Sequence, residues 1–120
     1  MAENELLQRT KTYALRIIRL YVSLPKTTEA QVLWKQVLRS GTSIGAHYRE
    51  ANRAKSDADF ISKTETALQE LDETVYWLEL IIEAKIFNEQ KVAPLIEETK
   101  ELNAIFTTIV KKVKDKKLKK

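Results

Sequence analysis

Apolar residues recur every three or four positions along four stretches of the chain, and this spacing is typical of helices that bury one face. In the first stretch Leu6, Tyr13 and Ile17 share a face. Pro25 ends this stretch, because proline disfavours helical geometry in the preceding residue. The pattern predicts helices over about 3–23, 28–54, 57–84 and 89–113. Four amphipathic helices with tight connections predict an all-α fold, an antiparallel up-down-up-down four-helix bundle.

Polar residues mark where the later helices begin. The segment 28–31, TEAQ, has the form of a capping box, in which the threonine and glutamine side chains satisfy free backbone amides. Ser56 with Asp59 predicts a second cap, and Asn88 predicts a third. Pro94 lies too deep for the first turn of a helix capped at Asn88, so the fourth helix either starts later or is kinked.

The only two glycines of the chain, Gly41 and Gly45, lie one helical turn apart inside the second predicted helix. A glycine in a helix interior costs about 1 kcal/mol relative to alanine. Their neighbours Ser40, Thr42 and Ala46 are also small. A smooth surface of this kind predicts the close approach of another helix, since packing can offset the weak helix propensity.

Composition limits the class of protein. The chain has 120 residues, no cysteine, two prolines and two glycines, which favours one domain of few, long helices. We assign residues 1–113 to this domain and expect residues 114–120, which have no core left to join, to fray. Without cysteine there are no disulfides or thiolate metal sites. Because the sequence has no apolar signal region and no run of ~18 apolar residues, we expect a cytoplasmic protein without a membrane span.

The net charge of +4 is unevenly distributed. Residues 1–55 carry ten basic against four acidic residues, whereas residues 56–84 carry one lysine against eight acids. The basic balance comes from the end of the chain, whose lysines are candidate nucleic-acid contacts: Lys111, Lys112, Lys114, Lys116, Lys117, Lys119 and Lys120. They would hold phosphates by counterion release, without aromatic residues for base stacking. The alternative is a tail that only improves solubility.

A polar stripe flanks the core face of the second predicted helix and meets a matching stripe on the third. The stripe contains Gln36, Arg39, Ser43 and Glu50 on the second helix and Glu70 and Glu73 on the third. An arginine beside acids at a helix seam predicts a buried charge network that fixes register or a subunit joint. The alternative is solvated surface charge, with a stabilisation of about 0–1 kcal/mol per pair.

Three apolar residues lie outside the main stripe of the third helix: Tyr76, Trp77 and Leu80. The core of a monomer does not need apolar residues there, and exposed clusters of this kind usually mark an interface. We therefore expect these residues at a contact between copies of the chain. The alternative is one broad stripe that wraps further around the bundle.

Residues suited to catalysis or metal binding are few. His47 is the only histidine, and the sequence has no nucleophile motif, no paired Glu-x-x-His motif and no glycine-rich phosphate loop. Glu70 and Glu73 have the spacing to share a cation, but such pairs are common on helix surfaces. We predict a non-enzymatic protein without a metal or cofactor.

Two segments carry a family resemblance. Residues 36–63, QVLRSGTSIGAHYREANRAKSDADFISK, followed by 68–81, LQELDETVYWLELI, resemble the four-helix-bundle family of the 23S rRNA intervening-sequence proteins. The resemblance extends from about residue 13 to about residue 91. It implies an up-down bundle that assembles as a five-fold ring. It also implies a likeness to the accessory protein of diversity-generating retroelements, a basic bundle that binds nucleic acid and a reverse transcriptase.

The chain departs from this pattern in two respects. His47 stands where members of the family often have asparagine. The body of the chain, without its last ten residues, is acidic rather than basic.

The function predicted from these features is that of a homo-oligomeric scaffold or interaction protein, with a pentamer favoured. Its partners would be RNA or DNA, held by the basic tail without sequence specificity, or a nucleic-acid enzyme. The competing prediction is a purely structural protein–protein assembly module with no nucleic-acid role. Binding that weakens with salt and with removal of residues 111–120 distinguishes the first from the second.

Overall fold

Four long helices form the protein, whose computed structural model describes the backbone of residues 3–118 and the side chains of residues 4–116. The helices are α1 (Glu3–Ser23), α2 (Thr28–Ala51), α3 (Asp57–Glu83) and α4 (Glu89–Leu118). No strand occurs among the described residues, and the prediction of an all-α four-helix fold is confirmed. None of the described helices contains a stretch long and apolar enough to cross a membrane.

Polar contacts between α2 and α3 define how these helices run. Ser40 Oγ lies 2.7 Å from Thr74 Oγ1, and further along α2 Glu50 Oε2 lies 3.6 Å from Lys63 Nζ. Contacts that advance along α2 and retreat along α3 are those of antiparallel neighbours. Because α3 contacts α2 and α4, while α1 contacts α2 and forms side-chain bonds to α4, α1 and α3 occupy opposite corners of the four-helix arrangement.

The ends of α2 differ from the predicted ones. Thr27, in extended conformation, accepts the Ala30 N–H on its Oγ1 at 3.3 Å and is the N-cap. Thr28 is the first helical residue, so its hydroxyl cannot cap the helix and the predicted capping box is wrong. At the other end α2 stops at Ala51, with Asn52 as C-cap, rather than at residue 54.

The later helices begin where the sequence predicted. Ser56 Oγ accepts the Asp59 N–H at 3.1 Å, and Asn88 Oδ1 accepts the Gln90 N–H at 2.7 Å. α4 therefore starts at Glu89 and contains Pro94. Proline cannot donate to the carbonyl four residues earlier, but that carbonyl belongs to the exposed Gln90, where water is available.

α4 extends further than the sequence predicted. Its helix continues to Leu118, past the predicted end at Val113, and Lys114 Nζ lies 3.2 Å from Glu65 Oε2 of α3. Lysine is a good helix former, and positive charge near a helix C-terminus interacts favourably with the helix dipole. Helix thus replaces the expected fraying over residues 114–118, and residues 119–120 lie outside the described residues.

The core lies between the four helices and is almost entirely apolar. Its largest side chain, Trp34, has no exposed surface and donates its Nε1–H to the Ile17 carbonyl at 3.2 Å, which ties α2 to α1. The Tyr13 hydroxyl lies 2.5 Å from Thr99 Oγ1 and ties α1 to α4. Burial raises the pKa of Tyr13. Bonds of this kind are needed because a buried polar group without a partner is costly.

Both glycines lie against α1. A Cβ at Gly41 would overlap with Ile17 Cδ1, and a Cβ at Gly45 would lie 3.1 Å from Thr10 Oγ1. The hydroxyl of Thr10 cannot easily move aside, since it bonds the Leu6 carbonyl at 3.0 Å. The small residues of α2 therefore permit the close approach of α1, and this packing offsets their low helix propensity.

Candidate functional site

The outer face of α3 carries a small aromatic surface. Tyr76 is 55% exposed, and its ring meets that of Trp77 edge-on, with centroids 5.2 Å apart and an interplanar angle of 65°. Trp77 and Leu80 are half-buried. The Trp77 Nε1–H donates to Glu73 Oε1 at 3.2 Å, which holds the indole at the surface. We call Tyr76, Trp77 and Leu80 the α3 surface.

One more apolar residue lies close to this surface. The Ser40–Thr74 contact sets the antiparallel register of α2 and α3. In that register Val32 of α2, which is 52% exposed, lies opposite Ile82, two residues past Leu80 on α3. The sequence alone does not mark Val32, because its neighbour on α3 is set only by the register of the two helices.

Arg39 is the centre of the predicted polar stripe. Its guanidinium donates to Gln36 Oε1 from Nε at 3.2 Å and from Nη2 at 3.1 Å. Nη2 also donates to Glu73, and Nη1 lies 3.5 Å from Glu70 Oε2. The two glutamates that sequence analysis considered for a cation thus converge on Arg39. The Arg39 side chain is 48% exposed, so this network lies at the surface next to the α3 surface and is not the buried one that was expected.

The other two residues of the stripe lie apart from this network. Ser43 Oγ donates to the Arg39 carbonyl at 2.6 Å, a bond within α2. Glu50 pairs with Lys63 near the far end of α2, at 3.6 Å. The stripe therefore consists of a local cluster around Arg39 and a separate pair, because its length along the helix exceeds the reach of one guanidinium.

A second polar cluster, which sequence analysis missed, joins α1 to α4. Arg9 donates from Nε to Glu98 Oε2 and from Nη2 to Glu98 Oε1, both at 2.7 Å, and Nη2 also lies 2.6 Å from Glu101 Oε2. Hydrogen bonding to Glu98 raises the pKa of Arg9, and the same bonds lower the pKa of Glu98. No local signal could have revealed this pair, because its members are far apart in sequence.

An apolar stripe on the outer face of α1 was also missed. Leu15 is 38% exposed, Ile18 47% and Val22 76%. Their spacing of three and four residues places them on one side of the helix, away from its buried face. That spacing was the available signal. We call these three residues the α1 stripe.

The last turns of α4 carry several lysines at one end of the bundle. Lys111, Lys112 and Lys116 are exposed, and Lys114 is paired with Glu65. Val113 and Lys55 line one surface cavity of about 340 Å³, which places this end of α4 beside the α2–α3 connection. The side chain of Lys117 and the whole of Lys119 and Lys120 lie outside the described residues.

The residues that sequence analysis considered for catalysis or metal binding lie on α2 and α3. His47 is half-buried on α2. Among the described residues no three His, Cys, Asp or Glu side chains are arranged to hold a metal ion.

A family model places the sequence among known proteins. The model of the 23S rRNA-intervening sequence proteins matches residues 2–108. The chain belongs to this family. The range matched by this family contains the α3 surface, the α1 stripe and both polar clusters of the chain. It stops before Lys111.

A solved structure is similar throughout its length. A protein of unknown function from the S23 ribosomal protein family of Bacteroides thetaiotaomicron, whose crystal structure has a resolution of 1.70 Å, is 40% identical in sequence. The similarity covers 88% of this chain and 98% of that protein, with a TM-score of 0.82. Among curated proteins no match was found.

Proposed function

We propose that this chain is a non-enzymatic scaffold protein that assembles with copies of itself, with a pentamer as the favoured size. The observation that carries this proposal is the α3 surface, where the 55% exposed Tyr76 meets the half-buried Trp77 edge-on at the outside of the bundle. Aromatic residues are enriched at protein interfaces because they bury a large area with few rotatable bonds. The small size of the surface fits a ring in which each copy contributes one modest contact on each side.

We further propose that the assembly holds nucleic acid, or the nucleic-acid part of an enzyme complex, without reading sequence. The support is the position of Lys111, Lys112 and Lys116 at one end of the bundle, near Lys55 of the α2–α3 connection. In a ring with parallel subunits these ends converge on one face. Several weak phosphate contacts then act together, which raises the overall affinity.

The assembly proposal is tested by light scattering on the wild type, Trp77→Glu and Tyr76→Glu. A wild-type mass near five chains that falls to one chain in both variants supports it. Far-UV circular dichroism checks that the variants remain helical, and Tyr76, being mainly exposed, is the safer of the two positions. Thr108→Glu on the exposed side of α4 is the control and should keep the wild-type mass. A monomeric wild type would overturn the proposal.

The nucleic-acid proposal is tested by titrating a fluorescent single-stranded RNA at several salt concentrations. Each lost phosphate contact lowers the slope of log K against log salt by about 0.7 for a single strand. Replacing Lys111, Lys112 and Lys116 with glutamine should therefore lower the slope by about 2. The control is the same change in charge at the opposite end of the bundle, at Lys26, Lys35 and Lys91. Equal effects of the two triple variants would mean that the RNA responds to the total charge of the protein, and the α4 lysines would not be its binding site.

The second candidate function is a structural assembly module that binds only protein. The observation that favours it is the ion pair of Lys114 with Glu65, which gives one of the lysines a role within the bundle. If the wild type assembles but does not bind the RNA at low salt, this second function replaces the first.

A further inference from the structure

Two apolar clusters that reach the surface lie on opposite corners of the bundle. The α1 stripe and the α3 surface belong to helices that do not neighbour each other, since each of these helices contacts α2 and α4 instead. Apolar residues on two separate sides of one small domain indicate two different contacts rather than a single broad one.

The exposed charged residues that flank the two surfaces on their own helices are opposite in sign, and Arg39 of α2, which also borders the α3 surface, is paired with Glu73. On α1, Lys11 precedes Leu15 by one turn and Arg19 follows it by one turn, and both basic residues are exposed. On α3, Glu79 and Glu83 follow Tyr76 by one and two turns and are exposed. Surfaces of opposite charge attract each other as two copies meet. The like charges within one surface disfavour the pairing of that surface with itself.

We propose that the α1 stripe of one copy docks on the α3 surface of a second copy. This inference rests on the proposed self-assembly and specifies its geometry. The apolar residues of the two surfaces would meet at the centre of the contact. The basic residues of α1 would lie against the acidic residues of α3 at the rim, where salt screens them.

This arrangement has a consequence for the symmetry of the assembly. A contact between two different surfaces leaves one free α1 stripe and one free α3 surface on every pair of copies. Such a head-to-tail contact continues until a ring closes, whereas a contact of one surface with itself stops at a dimer. A closed ring with an odd number of subunits therefore requires contacts of the proposed kind.

Mixing two complementary variants tests this directly. Ile18→Glu removes the α1 stripe but keeps the α3 surface, and Tyr76→Glu does the reverse. Each variant alone should be a monomer, with self-association weakened about a hundredfold or more by the unpaired charge in the contact. Mixed in equal amounts, they should form a dimer containing one copy of each and nothing larger, because only one intact contact can form. Analytical ultracentrifugation with one variant fluorescently labelled measures this composition.

Matched controls and outcomes separate the two proposals. Thr108→Glu places the same charge on the exposed side of α4, outside both surfaces, and should assemble as the wild type does. If the wild type is itself a monomer, both the self-assembly and this geometry are wrong. If the wild type assembles but Ile18→Glu does so equally well, or the two variants do not form a mixed dimer, the geometry is wrong and self-assembly stands.

Discussion

Arg9 of α1 and Glu98 of α4 form a forked ion pair in which two nitrogens meet two carboxylate oxygens, each at 2.7 Å. This geometry is the strong form of the arginine–carboxylate contact. The Arg9 and Glu98 side chains are 26% and 17% exposed, less than those of Arg39 and Glu73 on the other side of the bundle. The pair, together with the buried Tyr13–Thr99 bond, fixes α1 against α4, which is not its neighbour in sequence.

We expect Glu98→Gln to lower the free energy of unfolding by about 1–3 kcal/mol, because the guanidinium loses the charge of the carboxylate that holds it through two bonds and keeps only the exposed Glu101. Urea denaturation followed by circular dichroism measures this change. Glu101→Gln is the matched control, and because Glu101 is 65% exposed, its loss should stay below about 1 kcal/mol. Equal losses in the two variants would show that the two-bond contact of Glu98 contributes no more stability than the exposed contact of Glu101.

The same pair should make the protein sensitive to acid. Hydrogen bonds from Arg9 lower the pKa of Glu98 in the folded state below its ordinary value of 4.5. The stabilisation is therefore complete above about pH 4.5 and is lost as the pH falls through the lower folded-state pKa, since the unfolded chain takes up the proton first. In Glu98→Gln the decline of the urea midpoint below about pH 4.5 should be shallower. An unchanged decline would place the acid sensitivity elsewhere.

The contact between Gly41 and Ile17 yields a prediction about coupling. Gly41→Ala gains about 1 kcal/mol of helix propensity, but its methyl group overlaps with the buried Ile17 Cδ1, and overpacking costs about 1–3 kcal/mol. We expect a net loss of stability in the wild-type background. Ile17→Val removes Cδ1, so Gly41→Ala should be neutral or stabilising in that background. A double-mutant cycle in urea with additive effects would disprove the coupling.

Thr64 contains a buried hydroxyl whose removal should be beneficial. The side chain has no exposed surface, and its Oγ1 has no hydrogen-bond partner among the described residues. Thr64→Val keeps the shape and removes the cost of the unpaired hydroxyl, so we expect stability to rise by about 1 kcal/mol. Thr74→Val is the control, and it should be destabilising because the Thr74 hydroxyl is bonded to Ser40.

Lys85 occupies a backbone position that favours glycine. Its φ is 56°, and it follows α3 in a motif where the Ile86 N–H bonds the Ile81 carbonyl and its own N–H bonds the Ile82 carbonyl, both at 3.0 Å. We expect Lys85→Gly to stabilise the protein by about 1 kcal/mol, since left-handed geometry costs other residues roughly 1–2 kcal/mol. Lys100→Gly, in the interior of α4, should instead cost about 1 kcal/mol. Thermal unfolding measures both changes, and a melting temperature that falls in Lys85→Gly would contradict the prediction.

Local patterns along the chain were enough to predict the number, type and approximate bounds of the helices. Periodic apolar residues identify the face of a helix that packs against other helices. The caps at Ser56 and Asn88 follow from hydroxyl and amide side chains that bond nearby backbone N–H groups. The end of α4 was predicted too early, at Val113, because the apolar pattern stops there. Its lysines have no core to join, yet their helix propensity and the pair with Glu65 support helix through Leu118.

The sequence by itself thus determined the four-helix fold and the close approach of another helix at Gly41 and Gly45, because both follow from residue patterns within a few positions. Only the tertiary structure decided that α1 is the helix packed on those glycines, that Arg9 pairs with Glu98, and that Arg39 stays half-exposed. It also decided that the α1 stripe and the α3 surface lie at opposite corners. These features depend on which helices become neighbours and in what register, and many arrangements of four amphipathic helices bury the same apolar faces almost equally well.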